Sequence, residues 1–211
     1  MGYYPIFVEM TGRPCAVVGG GLVAERKVRS LLDVGATVAV ISPNLTAHLH
    51  SWALEGKFKH VAREFHRGDL RGFEMAFVAT DDGKVNEAVV QEAREQCVWV
   101  NSADNPSHCD FILPSVLRRG ELVVAIATGG TSPALARAVR EELESYITAD
   151  YAMLVRIAAE VRLALRERSM SPSADAWRQA LADGFRQLVA EGKEDEAKAY
   201  LLKQLEGAAC Q

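Results

Sequence analysis

The stretch RPCAVVGGGLVAERKV, residues 13–28, decides the fold of this chain. The apolar run 15–18 predicts a short buried strand, the glycines that follow predict a tight turn, and the residues beyond predict a helix. Gly19, Gly21 and Ala24 occupy the three positions of the G-x-G-x-x-G/A dinucleotide pattern. In that pattern the first glycine permits the turn, the second lets a pyrophosphate approach the backbone, and the small third residue lets the helix pack closely. The start of the helix then presents free N–H groups to the phosphates.

Length and composition are those of an ordinary folded globular protein. The chain has 211 residues, 49% hydrophobic and 25% charged, with a formal net charge of −4. This length allows one sizeable domain, or one domain with smaller additions. The sequence has no basic stripe of the kind that binds nucleic acid, and no apolar run as long as a transmembrane helix. We therefore expect neither nucleic acid nor membrane as a partner.

The cysteines and the N-terminus predict a cytoplasmic protein. The four cysteines form no C-x-x-C pair, and Cys15 and Cys97 lie in apolar, strand-like runs that predict buried, reduced thiols. The first residues lack the basic region and apolar core of a secretory signal.

Strands and helices alternate through the first half of the chain. The predicted order is a helix over 22–34 that stops at Gly35, a strand over 38–41, a helix over 45–55, a weak strand over 58–62, a strand over 74–80, a helix over 85–95 and a strand over 97–100. This alternation predicts an α/β fold with a parallel sheet and helices on both faces. Ligands of such sheets bind beyond the carboxyl ends of the strands. The positions that follow the strands are Gly19–Val23, Ser42–Pro43, Thr80–Asp81 and Asn101–Asp110.

The second half has a different pattern. Residues 117–122 predict a turn into a strand over 123–127, and a second glycine turn, 128–133, opens a helix to about Tyr146. Beyond Asp150 only helical periodicity remains, in stripes over 151–165, 177–189 and 193–205. These helices need another surface to cover their apolar faces, and a partner subunit is one candidate.

Two polar segments are candidate sites, and each has an ordinary structural alternative. Asp104 lies in the polar segment 101–110 and is a candidate general base, although an aspartate close to a proline is also common turn chemistry. The neighbouring run 108–110 (His-Cys-Asp) is a poor metal site, because adjacent residues rarely converge on one ion. The second glycine turn either holds an anionic substrate group or is simply a capped helix start.

Other features leave alternatives open or argue against a site. Four arginines of the second half are interpreted as a solvated charged face rather than as groups that bind carboxylates. They are Arg118, Arg119, Arg137 and Arg140. Ser42 stands where many NAD sites have an acidic residue for the ribose, which leaves NAD and NADP open. A hydrolase triad finds no support, because G-x-S-x-G does not occur.

Five separated segments together resemble one known family. They are PIF (5–7), VVGGGLVAERK (17–27), ATDD with VN (79–82 and 85–86), FILPS (111–115) and TGGTSPALAR (128–137). In this order they resemble the precorrin-2 dehydrogenase/sirohydrochlorin ferrochelatase family, including the N-terminal half of multifunctional siroheme synthases. The resemblance is strong over residues 3–145 and loose beyond, and the chain looks like the stand-alone form because it ends before any methyltransferase domain.

The resemblance implies an activity and an architecture. Such enzymes oxidise precorrin-2 to sirohydrochlorin with NAD⁺, and many then insert Fe²⁺, as a substrate, to form siroheme. The implied domains are a Rossmann dinucleotide-binding domain over 1–113, a small α/β dimerisation segment over 114–147 and a helical domain over 148–211, assembled as an interlocked homodimer. Two alternatives stay open: a dehydrogenase without chelatase activity, and, more remotely, a nucleotide-sensing module without catalysis.

The resemblance also implies site residues. Asp104 matches the family aspartate of the V-N-x-x-D pattern, and His108 is a candidate helper in proton transfer. The implied NAD contacts are Gly19, Gly21, Leu22, Val23, Ser42, Pro43, Asn44, Thr80 and Asp81. The implied substrate contacts, for the macrocycle's carboxylates, are Thr128, Gly130, Thr131, Ser132 and Arg137. No bound metal is implied.

Overall fold

The structure is a computed structural model that describes residues 2–102 and 106–209. Asp104 therefore lies outside the described residues. The chain forms two compact units, residues 1–113 and 114–211.

The N-terminal unit is a five-stranded parallel sheet with the strand order β3-β2-β1-β4-β5. Its elements are β1 (Pro14–Val18), α1 (Leu22–Leu32), β2 (Thr37–Ile41), α2 (Ala47–Leu54), β3 (Lys59–Val61), β4 (Met75–Val78), α3 (Gly83–Glu95) and β5 (Trp99–Ser102), followed by a short 3₁₀ turn (Pro106–His108). The predicted α/β fold is confirmed. The chain crosses from β3, at one edge, to β4 on the other side of β1, so the strand order changes direction next to the glycine turn.

Alternating side chains of the central strands pack into two apolar layers. Cys15 and Val17 of β1 face one layer with Val28 of α1, while Ala16 and Val18 face the other with residues of α3. Because β1 and β4 are covered on both faces of the sheet, nearly all of their residues are apolar. The strand predicted over 74–80 is shorter, Met75–Val78, because the chain turns away at Ala79 to form the wall of a cavity.

The prediction for Cys97 was wrong. Its side chain is exposed and its backbone is left-handed, with φ of +55°. The residue ends α3: its N–H donates to the carbonyl of Arg94, and the N–H of Val98 donates to the carbonyl of Ala93. This pattern closes many helices and usually has glycine at the left-handed position. A helix end therefore stands where the apolar sequence indicated a strand.

The C-terminal unit combines a β-hairpin with five helices among the described residues. The elements are β6 (Ser115–Arg119), β7 (Leu122–Ile126), α4 (Pro133–Tyr146), α5 (Asp150–Glu167), α6 (Ala174–Ala180), α7 (Asp183–Ala190) and α8 (Glu194–Ala209). The turn predicted over 117–122 is instead most of an antiparallel hairpin, with Gly120 at its tip at a φ of +57°.

The helical part has its own core. Ile157, Val161 and Leu165 of α5 pack with Phe185 of α7 and with buried leucines of α8. The stripe over 177–189 predicted one helix, but the chain breaks it at residues 181–182. At this break Gly184 approaches α8 so closely that a Cβ there would lie 2.7 Å from the hydroxyl of Tyr200.

Among residues 2–102 and 106–209, no helix is both long enough and apolar enough to cross a membrane.

Candidate dinucleotide site

A cavity of about 500 Å³ opens at the carboxyl ends of β1, β2 and β4. Its walls come from four connecting segments of the N-terminal unit. They are the glycine turn 19–21, the loop 42–46 after β2, residues 64–65 after β3 and residues 79–82 after β4, together with Val85 of α3. This is the place where doubly wound sheets bind nucleotides.

The first and third glycines of the turn have different surroundings. Gly19 has φ of +117°, and a Cβ there would lie 2.2 Å from the carbonyl oxygen of Ala79. Only glycine fits this position, because both the backbone angle and the close approach to β4 exclude a side chain. Gly21 has an ordinary extended backbone, with φ of −82°, and a Cβ there would meet no atom within 4 Å. The space beside Gly21, at the start of α1, is therefore open, which is what the dinucleotide pattern requires at this position.

The middle glycine carries a role that sequence reasoning missed. A Cβ on Gly20 would lie 1.9 Å from the carbonyl oxygen of Asn44 and 2.8 Å from Oγ of Ser42. The N–H of Thr46 also donates to the carbonyl of Gly20, at 2.9 Å. The dinucleotide pattern leaves this position free, so no motif signals that Gly20 holds the loop after β2 against the turn.

Ser42, Pro43 and Asn44 all line the cavity. Ser42 is buried, and its hydroxyl donates to the carbonyl of Asn44 at 2.7 Å. His60 Nε2 lies 2.9 Å from the carbonyl oxygen of Ser42. The Ser42 hydroxyl is therefore engaged in shaping its own loop.

Thr80 and Asp81 line the opposite wall of the cavity. The hydroxyl of Thr80 accepts a hydrogen bond from the N–H of Asp82, and the Thr80 carbonyl accepts one from the side-chain amide of Asn86. The carboxylate of Asp82 accepts from the N–H groups of Lys84 and Val85 and so caps α3. Asp81 has no such capping bond and is exposed at the cavity.

Leu22 and Val23 belong to the first turn of α1 and are not among the residues that line the cavity. The side chain of Leu22 is 73% exposed. Ala24, the third position of the pattern, is fully buried against the sheet, as its small size predicts.

Glu25 is a second residue that sequence reasoning missed. Its buried carboxylate accepts a hydrogen bond from the hydroxyl of Thr46 at 2.6 Å, lies 3.0 Å from Nδ1 of His48, and accepts from Arg29 at 3.3 Å. The Thr46 hydroxyl is the main cause that lowers the pKa of Glu25, with His48 and Arg29 adding to it. Thr46 also caps α2. The carboxylate thus joins the helix after the glycine turn to the loop and helix after β2.

Lys27, two residues further along α1, reaches the end of β5. Its ammonium group donates to Oδ1 of Asn101 at 2.8 Å and lies 5.3 Å from the centre of the Phe77 ring. Burial lowers the pKa of this lysine. The side-chain amide of Asn101 in turn donates to the carbonyl of Phe111 at 3.0 Å. Asn101, the first residue of the polar segment 101–110 that contains Asp104, is therefore held from both sides.

The chain returns to β5 after that segment. The carboxylate of Asp110 accepts from the N–H of Val100 at 2.8 Å, and the N–H of Asp110 donates to the carbonyl of Val100 at 2.9 Å. The thiol of Cys109 lies 3.2 Å from both the N and the carbonyl oxygen of Ser102. Ser102, Cys109 and Asp110 are thus fixed at the carboxyl end of β5.

His108 contributes to a different cleft of about 350 Å³, against α3, lined also by Glu87, Gln91 and Arg94. No group of three His, Cys, Asp or Glu side chains in the described part of the chain is arranged to hold a metal ion.

The second glycine turn, in the C-terminal unit, is internally bonded. The Thr128 hydroxyl accepts from the N–H of Ser132 at 3.0 Å and lies 2.9 Å from its carbonyl, and the Thr131 hydroxyl donates to the carbonyl of Thr128 at 2.6 Å. The hydroxyl of Ser132 accepts from Leu135 and caps α4. Gly130, with φ of +82°, and Arg137 are exposed. The capped-helix alternative accounts for all three hydroxyls.

Two of the four arginines have structural partners. Arg119 donates to the carbonyl of Ile147, and Arg140 forms ion pairs with Glu141 and Glu144.

Comparisons with known proteins agree with this geometry. Residues 6–115 match a family model described as putative NAD(P)-binding, and residues 119–146 match one described as sirohaem biosynthesis protein central. The chain is similar to the siroheme synthase of Nitrosococcus oceani, with 40% identity over 98% of this chain and 45% of that protein. It is also similar to the siroheme synthase of Methylobacillus flagellatus, with 39% identity over 96% of this chain and 44% of that protein. The chain thus spans less than half the length of these curated relatives.

A solved structure titled SirC, precorrin-2 dehydrogenase, is similar over nearly the whole chain. The TM-score is 0.77 and the identity 27%, and the match covers 97% of this chain and all of the other.

Proposed function

Because this chain belongs to the family described as putative NAD(P)-binding, we propose that it oxidises precorrin-2 to sirohydrochlorin with NAD⁺. The observation that carries the proposal is the open space beside Gly21, in a cavity at the point where the strand order changes direction. The choice of precorrin-2 as the substrate rests on the similarity to a precorrin-2 dehydrogenase structure over nearly the whole chain.

The residues of the cavity fit a dinucleotide. Backbone N–H groups at the start of α1 bind the pyrophosphate beside Gly21, and Gly19 holds the turn against β4. The loop 42–46, fixed by Gly20 and Glu25, forms the wall for the adenosine half. The bound nicotinamide supplies the hydride acceptor.

We propose that Asp104 accepts the proton that the substrate loses. Oxidation of the macrocycle removes a hydride and a proton, and a carboxylate at Asp104 accepts the proton as general base. Lys27 and Asn101 position the start of the segment, and Asp110 positions its end. Thr128, Thr131, Ser132 and Arg137 are proposed contacts for the substrate's carboxylates.

The test is an anaerobic reaction of the protein with precorrin-2 and NAD⁺, followed by the visible spectrum and NADH formation. Asp104→Asn is expected to lower turnover by about 10²–10⁴-fold, the usual contribution of a general base, and to leave NAD⁺ affinity unchanged. A fully active Asp104→Asn would refute the assignment of the base. Protein that binds NAD⁺ but forms no NADH would instead favour a nucleotide-sensing module.

We also infer that the chain inserts Fe²⁺ into sirohydrochlorin, because the relatives that match almost all of it are named siroheme synthases. Loss of two pyrrole protons accompanies this step, and Asp104, with His108 as helper, is the proposed acceptor. Adding Fe²⁺ after the first reaction tests the step. Siroheme formed no faster than without protein would leave a dehydrogenase only.

We further propose a cytoplasmic homodimer. Cys15 and Cys97 are free thiols, which suits a reducing compartment. Within the C-terminal unit, Leu135 and Tyr146 of α4 are large exposed apolar residues that a second subunit would cover. Light scattering during gel filtration tests the dimer.

A further inference from the structure

The residue at the end of β2 does not provide the usual means of selecting NAD⁺. In many NAD sites an acidic residue follows this strand and accepts hydrogen bonds from the adenosine ribose, where NADP⁺ has a phosphate. Here the position is Ser42, whose hydroxyl donates to the carbonyl of Asn44. The loop that follows β2 along the cavity, residues 42–46, contains no charged side chain.

An acidic residue lines the same cavity on the segment that follows the neighbouring strand. β3 pairs with β2 in parallel, with Ile41 opposite Val61, and the N–H of Ser42 donates to the carbonyl of Val61 at 3.1 Å. The chain continues from Val61 to Glu64, which lines the cavity. The carboxylate of Glu64 has no hydrogen-bonded or ion-paired partner among the residues that the structure describes.

The backbone at Glu64 is held in place. The guanidinium of Arg63 forms two hydrogen bonds to the carboxylate of Asp69, at 2.6 and 2.7 Å, and donates to the carbonyl of Glu64 at 2.8 Å. A bidentate pair of this kind fixes geometry as well as charge.

The next residue adds an aromatic side chain to the cavity. Phe65 and Val85 both line the cavity and pack against the apolar layer of the sheet, and the ring of Phe65 offers the flat apolar surface that an adenine ring needs. Glu64 adjoins that surface, where the ribose must follow the base.

The charges that line the cavity also single out Glu64. Its lining contains three carboxylates, Glu64, Asp81 and Asp82, and no lysine, arginine or histidine among the described residues. Asp82 caps α3, and Asp81 follows β4, on the far side of β1 from β3. Glu64 is therefore the one of the three that combines a free carboxylate with a position next to the end of β2.

We propose that Glu64 selects NAD⁺ over NADP⁺ by accepting hydrogen bonds from the adenosine ribose and repelling a 2′-phosphate. This inference rests on the proposed dinucleotide site and names the residue that sets its specificity.

The test is direct binding of NAD⁺ and of NADP⁺, measured by calorimetry on the full chain. Glu64→Gln keeps the size of the side chain and removes its charge. Asp81→Asn is the matched control, because it removes the same charge from the other side of the same cavity. We expect Glu64→Gln to reduce the preference for NAD⁺ about tenfold or more, since like charges a few ångströms apart at a protein surface repel by at least this much. Asp81→Asn should change it less than about threefold.

Each outcome separates the inference from the proposed function. If the wild-type chain binds NAD⁺ and Glu64→Gln leaves the preference unchanged, the role of Glu64 is refuted while the dinucleotide site stands. Equal effects of Glu64→Gln and Asp81→Asn also refute it, because the discrimination would then come from the total charge. If the wild-type chain binds neither dinucleotide, the proposed function itself fails. Thermal unfolding of each variant checks that the fold is intact.

Discussion

The ammonium group of Lys27 donates a hydrogen bond to Oδ1 of Asn101 at 2.8 Å and lies over the ring of Phe77. This contact links the helix after the glycine turn to the end of β5. The cofactor side of the proposed site and the segment that contains Asp104 are therefore tied together by one side chain.

Replacing Lys27 by methionine is expected to lower dehydrogenase turnover more than cofactor binding. The side-chain oxygen of Asn101 loses the hydrogen bond from Lys27, so the segment after β5 is held less firmly, and a misplacement of about 1 Å costs on the order of 10²-fold in rate. We expect kcat to fall by about tenfold to a hundredfold, with KM for NAD⁺ within about threefold. The measurement is steady-state kinetics with precorrin-2.

The matched control is Lys57→Met, which removes a lysine that pairs with Glu55 and lies over the ring of Trp52. It should leave turnover unchanged. A normal kcat in Lys27→Met would show that Asn101 is held well enough by Phe111 alone.

Alanine at the second and third glycines of the turn should separate folding from binding. Gly20→Ala puts a methyl group against the carbonyl of Asn44, so we expect the free energy of unfolding to drop by about 1–3 kcal/mol, the usual cost of overpacking. Gly21→Ala places its methyl group in open space, with an ordinary φ, and should change that free energy by less than about 0.5 kcal/mol.

NAD⁺ binding, in contrast to stability, should be sensitive to alanine at Gly21. A methyl group beside the start of α1 occupies the space proposed for the pyrophosphate, so NAD⁺ affinity should fall by about tenfold or more. Denaturant unfolding and calorimetry measure the two quantities. Unchanged affinity in Gly21→Ala would place the pyrophosphate elsewhere.

These glycines also show how far the sequence leads. Gly19 and Gly21 were predictable because the dinucleotide pattern encodes a local strand-turn-helix geometry. Gly20 and Glu25 were not, because their roles depend on Asn44 and Thr46, about twenty residues further along, which meet the turn only in the folded unit. Asp104 was a candidate base because it lies in a polar segment after a strand, the family resemblance singled it out, and its role stays a prediction.

Helices and strands were predictable where the apolar pattern follows buried strands. Their ends were predicted wrongly where contacts with residues far along the chain determine where a helix stops. Gly184 must approach Tyr200 of another helix, and the break between α6 and α7 beside it leaves the apolar stripe intact. At Cys97, an apolar residue ends a helix in the left-handed region that glycine usually occupies.

Glycine at residue 97 should therefore stabilise the protein. A residue with a Cβ costs about 1–2 kcal/mol in the left-handed region, and glycine gives back about 0.4–1 kcal/mol through the freedom of the unfolded chain. We expect Cys97→Gly to raise the free energy of unfolding by up to about 1 kcal/mol. Cys97→Ala removes the same thiol but keeps the Cβ, so it should give no gain. Equal stability of the two variants would mean that loss of the thiol, rather than the backbone angle, controls the effect.

The carboxylate of Glu25 should make stability depend on pH in a defined direction. Its pKa in the folded protein is lowered from the ordinary value of 4.5, chiefly by the hydrogen bond from Thr46. The unfolded chain therefore binds the proton more readily, and the contribution of Glu25 is complete above its ordinary pKa and is lost as the pH falls through the lower, folded pKa. Glu25→Gln should be less stable than the wild type at neutral pH, and the difference should shrink as the pH is lowered below 4.5. The exposed Glu121, replaced by glutamine, is the control variant. Denaturant unfolding over a series of pH values measures both, and a constant difference between wild type and Glu25→Gln would mean that the carboxylate acts through packing rather than charge.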